Sequence, residues 1–228
     1  MTSKRIVSLK MAGMCGILAP IIAFICIGLA VLLSPWFSWT DNYLSDLGGS
    51  PGDRPIWAAH GIASILFNCG LVTAGALGVY LGLGLRISGI FSTSMGNIGT
   101  LVFILDACVL IGIGVFPETT GTLHTFFSIA FFILVGLALV FLGMGLIKSS
   151  EKNFFWLTIA LLVFGLTSIP LFLTPKPWGS NAIAEMIPIV SIAIFSIVFG
   201  IRLFYMASMG EGEKGGGTGL RNRGQQGK

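Results

Sequence analysis

AHGIASILFNCGLVTAGALGVYLGLGL, residues 59–85, contains no Asp, Glu, Lys or Arg. It exceeds the roughly 20 apolar residues that a helix needs to cross the hydrocarbon core of a bilayer. At 100° per residue, His60, Ser64, Asn68, Gly75, Gly78 and Gly82 fall within about 80° of one another. The stripe is polar at its start and glycine-rich towards its end. Small residues let helix backbones approach and polar groups hydrogen-bond between helices, so this face is expected to turn towards neighbouring helices.

Five further stretches have the same character, at about 11–35, 89–115, 123–147, 154–173 and 183–206. With 59–85 they predict an all-α, polytopic integral membrane bundle of six transmembrane helices over residues 1–207. The connection WFSWTDNYLSDLGGSPGDRPIW, Trp36 to Trp57, is rich in turn residues and flanked by tryptophans suited to a membrane interface, which predicts an ordered outer loop over 36–57. The end of the chain, EGEKGGGTGLRNRGQQGK, is polar and glycine-rich. It cannot bury enough apolar surface to offset its ordering entropy, so 208–228 reads as a disordered cytoplasmic tail.

Composition points the same way. The chain is 54% hydrophobic and 10% charged, with mean hydropathy +0.93, whereas soluble domains are about one quarter charged. The short connections leave too little polar surface to enclose six such helices in water. A membrane β-barrel would alternate apolar and polar residues, and these stretches do not. The first stretch follows Lys4, Arg5 and Lys10 but is longer than the roughly 7–15 residues of a signal-peptide core, so it reads as an uncleaved first helix. Cys15, Cys26, Cys69 and Cys108 all fall inside spans, with no C-x-x-C pair, and read as small packing residues.

Charge sets the expected orientation. Lys4, Arg5, Lys10, Arg86, Lys148, Lys152, Arg202, Lys214, Arg221, Arg223 and Lys228 share one side; Arg54 and Lys176 lie on the other. Positive residues near spans stay in the cytoplasm, so this split predicts N-in and C-in topology in the cell membrane. The net charge of +4 is then an orientation signal and calls for no nucleic acid.

Candidate functional residues follow from polarity inside or beside the spans. Asp106 lies centrally in the third span, where a carboxylate costs about 2.5–3.5 kcal/mol and should face protein or water. It is expected either to carry its proton or to be stabilised by polar neighbours or a cation, with Asn68 at similar depth as the preferred partner. GIGVFPETTGTLH, residues 112–124, breaks at Pro117 and Gly121, with Glu118 and His124 bracketing an outer turn; Ser128 follows His124 at i+4. Glu185 opens the sixth span, where it joins the outer cluster or favours a helix N-terminus through the dipole.

Three segments carry a resemblance: NYLSDLG at 42–48, LFNCGLVTAGALG at 66–78 and IGIGVFPETTGTLHTFFSIAFF at 111–132. In this order and spacing they resemble the membrane proteins of domain of unknown function family 998, across about residues 11–206. The resemblance implies a six-helix integral membrane protein of archaeal or bacterial type, with Ser45, Asp46, Gly48, Asn68, Pro117 and His124 matching the family pattern. It implies no activity.

Three functions compete. A membrane enzyme acting on lipid or a lipid-linked substrate would use Asp46, Asp106 and His124 in catalysis, with Ser45, Asn68, Glu118 and Glu185 around the substrate. His60, Asp106 and His124 could hold a divalent metal such as zinc, although H-E-x-x-H, G-x-S-x-G and a third histidine are lacking. A proton-coupled permease would titrate Asp106, against which the inner half of the stripe is glycine. A non-catalytic lipid-binding or assembly protein would use the polar residues to fix a rigid outer cap, with membrane lipids as partners.

Overall fold

The computed structural model describes residues 2–56, 58–147, 149–175 and 181–221. Among these residues are seven α-helices: α1 Ser3–Leu32, α2 Ile62–Ser88, α3 Ser94–Val115, α4 Thr122–Leu146, α5 Lys152–Leu166, α6 Ser168–Leu173 and α7 Ala182–Arg221. Two 3-10 helices, Leu44–Gly48 and Glu118–Thr120, lie between them, and the described residues contain no strand. Among the described residues six helices are long and apolar enough to cross a membrane, with α5 and α6 counted together as Lys152–Leu173.

The outer surface is apolar, as expected for a multi-pass membrane protein, around an interior that is mostly apolar but also holds polar side chains. Ile62, Trp156 and Phe126 on the outer surface are 68%, 65% and 64% exposed, while Ser64, Asn68, Thr100 and Thr158 are buried. Polar side chains inside and large apolar ones outside make sense only when the surrounding medium is apolar.

Local chemistry explains where the helices stop. Pro170 has no N–H to donate to the carbonyl four residues earlier, at Leu166, which is where α5 ends and the fifth span breaks into α6. Ser88 is followed by Gly89 at φ +85°, and Arg5 Nη2 donates to the last carbonyls of α2, Ile87 (2.9 Å) and Ser88 (3.1 Å). That contact ties the start of α1 to the end of α2.

Two boundaries differ from the sequence expectation. The first helix begins at Ser3 rather than near 11, because Thr2 Oγ1 accepts from Arg5 N and the charged residues ride on the first turns. The last helix runs to Arg221, well past 206, so the tail expected to be disordered from 208 is helical as far as it is described. Trp57, Lys148, Lys176, Arg223 and Lys228 lie outside the described residues, as do the side chains of Lys214 and Arg221.

Helix α1 packs against α2 and α7, α2 against α3, and α3 against α4; α5 joins α4 and α7 at the periphery. The α1–α7 crossing is backbone to backbone. A Cβ on Gly13 would lie 2.7 Å from the Gly200 carbonyl oxygen, and one on Gly200 would lie 2.8 Å from that of Gly13. In α2 the expected glycine face does meet a neighbour, since a Cβ on Gly75 would sit 2.7 Å from the Ala107 carbonyl oxygen of α3. Phe195 and Phe199 of α7 stack at 4.3 Å and complete the interior with Phe103 and Phe91. Of the cysteines, Cys26 packs on Gly70, whereas Cys69 and Cys108 face outward rather than into the packing.

Candidate functional site

The end of the bundle opposite the termini carries a polar cap built on the 3-10 helix Leu44–Gly48. Asp46 Oδ2 accepts from Tyr43 N (3.0 Å) and from Asn42 Nδ2 (3.0 Å), closing the start of that helix. Glu185, in the first turn of α7, reaches across so that its Oε2 accepts from Leu44 N at 2.7 Å. Two carboxylates from distant parts of the chain thus hold adjacent backbone N–H groups of one turn. Such a hydrogen bond contributes about 0.5–1.5 kcal/mol with a neutral acceptor and about 1.5–3 kcal/mol with an ionised one.

The other end of the turn is held from α2. Asn68 Nδ2 donates to the Gly48 carbonyl at 3.3 Å, and a Cβ on Gly48 would come within 2.8 Å of Asn68 Oδ1, so glycine is needed for this approach. Gly49 follows at φ +119°, where an added Cβ would meet Thr119 Cγ2 at 2.5 Å. Thr119 itself donates to the Ile56 carbonyl (3.0 Å) and accepts from Gly52 N (3.2 Å), knitting the two loops together.

Glu118, beside Ser45, Asp46 and Glu185, is one exception to this saturation. Its Oε2 is buried without a hydrogen-bond partner, as are Ser34 Oγ, His60 Nε2 and Asn181 Oδ1 at the same end. Burial pushes the Glu118 carboxyl up to about 7; a Ser45 hydrogen bond works against the rise, and the Asp46 and Glu185 carboxylates add to it. Sequence reasoning placed Ser45, Asp46, Glu118 and Glu185 in the outer cluster, and they do share one locality.

His124 is buried with both ring nitrogens engaged, Nδ1 at 2.9 Å from the Phe116 carbonyl and Nε2 at 3.1 Å from Ser128 Oγ. It therefore fastens the end of α3 to the first turn of α4. His60 does not belong to the α2 stripe: Gly61 takes φ +63°, α2 starts at Ile62, and His60 N donates to Ser64 Oγ at 2.9 Å. Its ring lies 4.7 Å from Trp36, with Nε2 3.9 Å from Asp53 Oδ2. Trp36 and Asp53 were not among the candidates from sequence.

Asp106 faces the bundle interior, 3% exposed, on the side of α3 where Gly99 meets Leu142 and Phe103 meets Phe195. The expected pairing with Asn68 does not form. Asn68 packs opposite Gly114, eight residues and about 12 Å along α3 from Asp106, and it bonds Gly48 instead. Asp106 Oδ1 has no hydrogen-bond partner. Among the described residues no group of three or more His, Cys, Asp or Glu side chains could hold a metal ion, so His60, Asp106 and His124 are not gathered into the expected ligand set.

Sequence reasoning also passed over a polar cavity at the end that carries the termini, next to Arg202 and Glu151. The available signal was the pair of hydroxyl-bearing connections, SGIFSTS at 88–94 and SSE at 149–151, facing the same side.

No curated protein and no solved structure matches the chain. A family model described as Protein of unknown function (DUF998) matches residues 17–202, a span that holds the Ser-Asp-Leu-Gly turn, Asn68, the Pro117–His124 turn and Glu185. With most of its length and its whole far-end cap inside that match, the chain belongs to the DUF998 family.

Proposed function

We propose that this DUF998 protein is a non-catalytic multi-pass protein of the cell membrane, N-in and C-in, which organises lipid or partner molecules around a rigid outer cap. The supporting observation is how the cap spends its polar groups. Asp46, Glu185, Asn68, Thr119 and His124 all bond backbone groups of the turns they sit beside. A catalytic cluster would instead keep a nucleophile or base directed at space for a substrate. The distribution of Lys and Arg, eleven of thirteen on the side of the termini, supports the orientation.

A second function, acid–base processing of a lipid-linked substrate, is favoured by Glu118. Its free Oε2 and a pKa of about 7 suit a proton donor or acceptor at neutral pH. The two are separated by extracting the protein with its native lipids and following lipid composition over time. A bound lipid class that is enriched and stays constant is the expected result. Consumption of that lipid by wild type, and not by Glu118→Gln, would replace the scaffold with an enzyme.

A further inference from the structure

The cavity at the end carrying the termini has a volume of about 400 Å³, within the range of small-molecule sites. Five hydroxyl residues line it: Ser88, Ser92, Thr93, Ser149 and Ser150. It lies at the N-terminal ends of α3, capped by Thr93, and α5, which Glu151 precedes without a capping bond, where helix dipoles favour negative charge. Arg202 of α7 and Glu151 form an ion pair in its wall, with side chains 25% and 29% exposed. Arg5 borders it, its Nη2 lying 3.8 Å from where a Gly89 Cβ would be.

Arg202 has a second neighbourhood. It also lines a groove of about 380 Å³ on the outer face of the bundle, made by Phe154, Val198, Ile201 and Tyr205. Its guanidinium lies 6.0 Å from the centre of the Phe154 ring. A hydroxyl-lined polar cavity and an apolar groove therefore share one arginine. That is the shape of a site for an amphiphile with its head in the cavity and a chain in the groove.

The ion pair narrows the headgroup. An anion that took Arg202 away would leave Glu151 partly buried and unpaired, and breaking such a pair one-sidedly costs several kcal/mol. A headgroup carrying both a phosphate and a primary ammonium exchanges the pair without loss, phosphate to Arg202 and the hydroxyls, ammonium to Glu151. A quaternary ammonium has no N–H to give Glu151. The geometry points to a phospholipid site of the phosphoethanolamine type at the α3–α5–α7 end of the bundle. The site is at the opposite end from the cap and stands whether or not the cap is catalytic.

Native mass spectrometry of the full chain in detergent, with phosphatidylethanolamine, phosphatidylglycerol or phosphatidylcholine added, tests it. Wild type retains phosphatidylethanolamine about tenfold better than the other two, one charged hydrogen bond's worth of selectivity. Glu151→Gln shifts the preference to phosphatidylglycerol. The double variant Glu151→Gln/Arg202→Gln, in which no buried charge is orphaned, retains all three poorly while keeping the wild-type unfolding temperature. Val198→Trp fills the groove and lowers lipid retention without changing the binding of soluble glycerophosphoethanolamine. Equal retention of the three lipids by wild type, a preference unmoved by Glu151→Gln, or glycerophosphoethanolamine bound as tightly as the lipid would each overturn the site.

Discussion

At the far end of the bundle, carboxylates and amides from α2, α7 and the outer loop are tied to the backbone of one five-residue 3-10 helix. At the end carrying the termini, hydroxyls and an arginine–glutamate pair border open volume instead. Both ends are polar, yet the far end spends most of its groups on its own backbone, apart from the buried, unpartnered Ser34 Oγ, His60 Nε2, Glu118 Oε2 and Asn181 Oδ1, whereas the groups of the other end face a cavity. Groups that are mutually satisfied make a rigid structure that is costly to disturb, while groups facing a cavity leave capacity for something else to bind. The number of polar residues in a region is thus a poor guide to function; what matters is how many of their bonds are already spent.

The largest break in this contrast should come from Gly49→Ala. The new Cβ combines a left-handed φ with a 2.5 Å approach to Thr119, so we expect about 3 kcal/mol of lost stability in thermal unfolding in mild detergent. A change below about 0.5 kcal/mol would mean that the cap is soft.

Glu118 gives a middle-sized effect with a definite sign. Its folded pKa, about 7, is above its ordinary 4.5, so between these values the folded state holds more protons than the unfolded one. Its contribution to stability is fully present below pH 4.5 and is lost as pH rises through about 7. Unfolding temperature measured across that window should fall for wild type, and Glu118→Gln should reduce the fall. A fall of unchanged size in the variant would assign the titration to another group. The smallest effect is expected at the opposite end: Ser92→Ala, beside the open cavity, should alter stability by no more than about 0.5 kcal/mol.

The six spans were legible because a run of some 20 apolar residues has few other fates. The glycine face of α2 was legible for a similar reason, since helical phase is a local property of the chain. Asn68 and Asp106 show where that ends. Their relative depth depends on the register between α2 and α3, which is set by contacts such as Gly75 on Ala107, and no single-helix pattern encodes it. His60 was misplaced because one glycine at φ +63° ends the helix just before the stripe would have reached it. Asp46, Glu118 and Glu185 were each assigned to connections at the end away from the termini, but only the fold reveals that two of them serve one turn. The cavity beside Arg202 had no legible motif, because serines in short connections are ordinary.

The central claim is that most of the polarity of the far end is spent on holding its own backbone, and Glu185 tests it most directly. Hydrogen–deuterium exchange across residues 43–49 should show protected amides in wild type. In Glu185→Ala, which removes the acceptor of the Leu44 N–H, that protection should fall, most of all at Leu44, while the exchange of α2, α3 and α4 remains as in wild type. Unchanged protection of 43–49 in the variant would contradict the claim and return Glu185 to the pool of free functional groups.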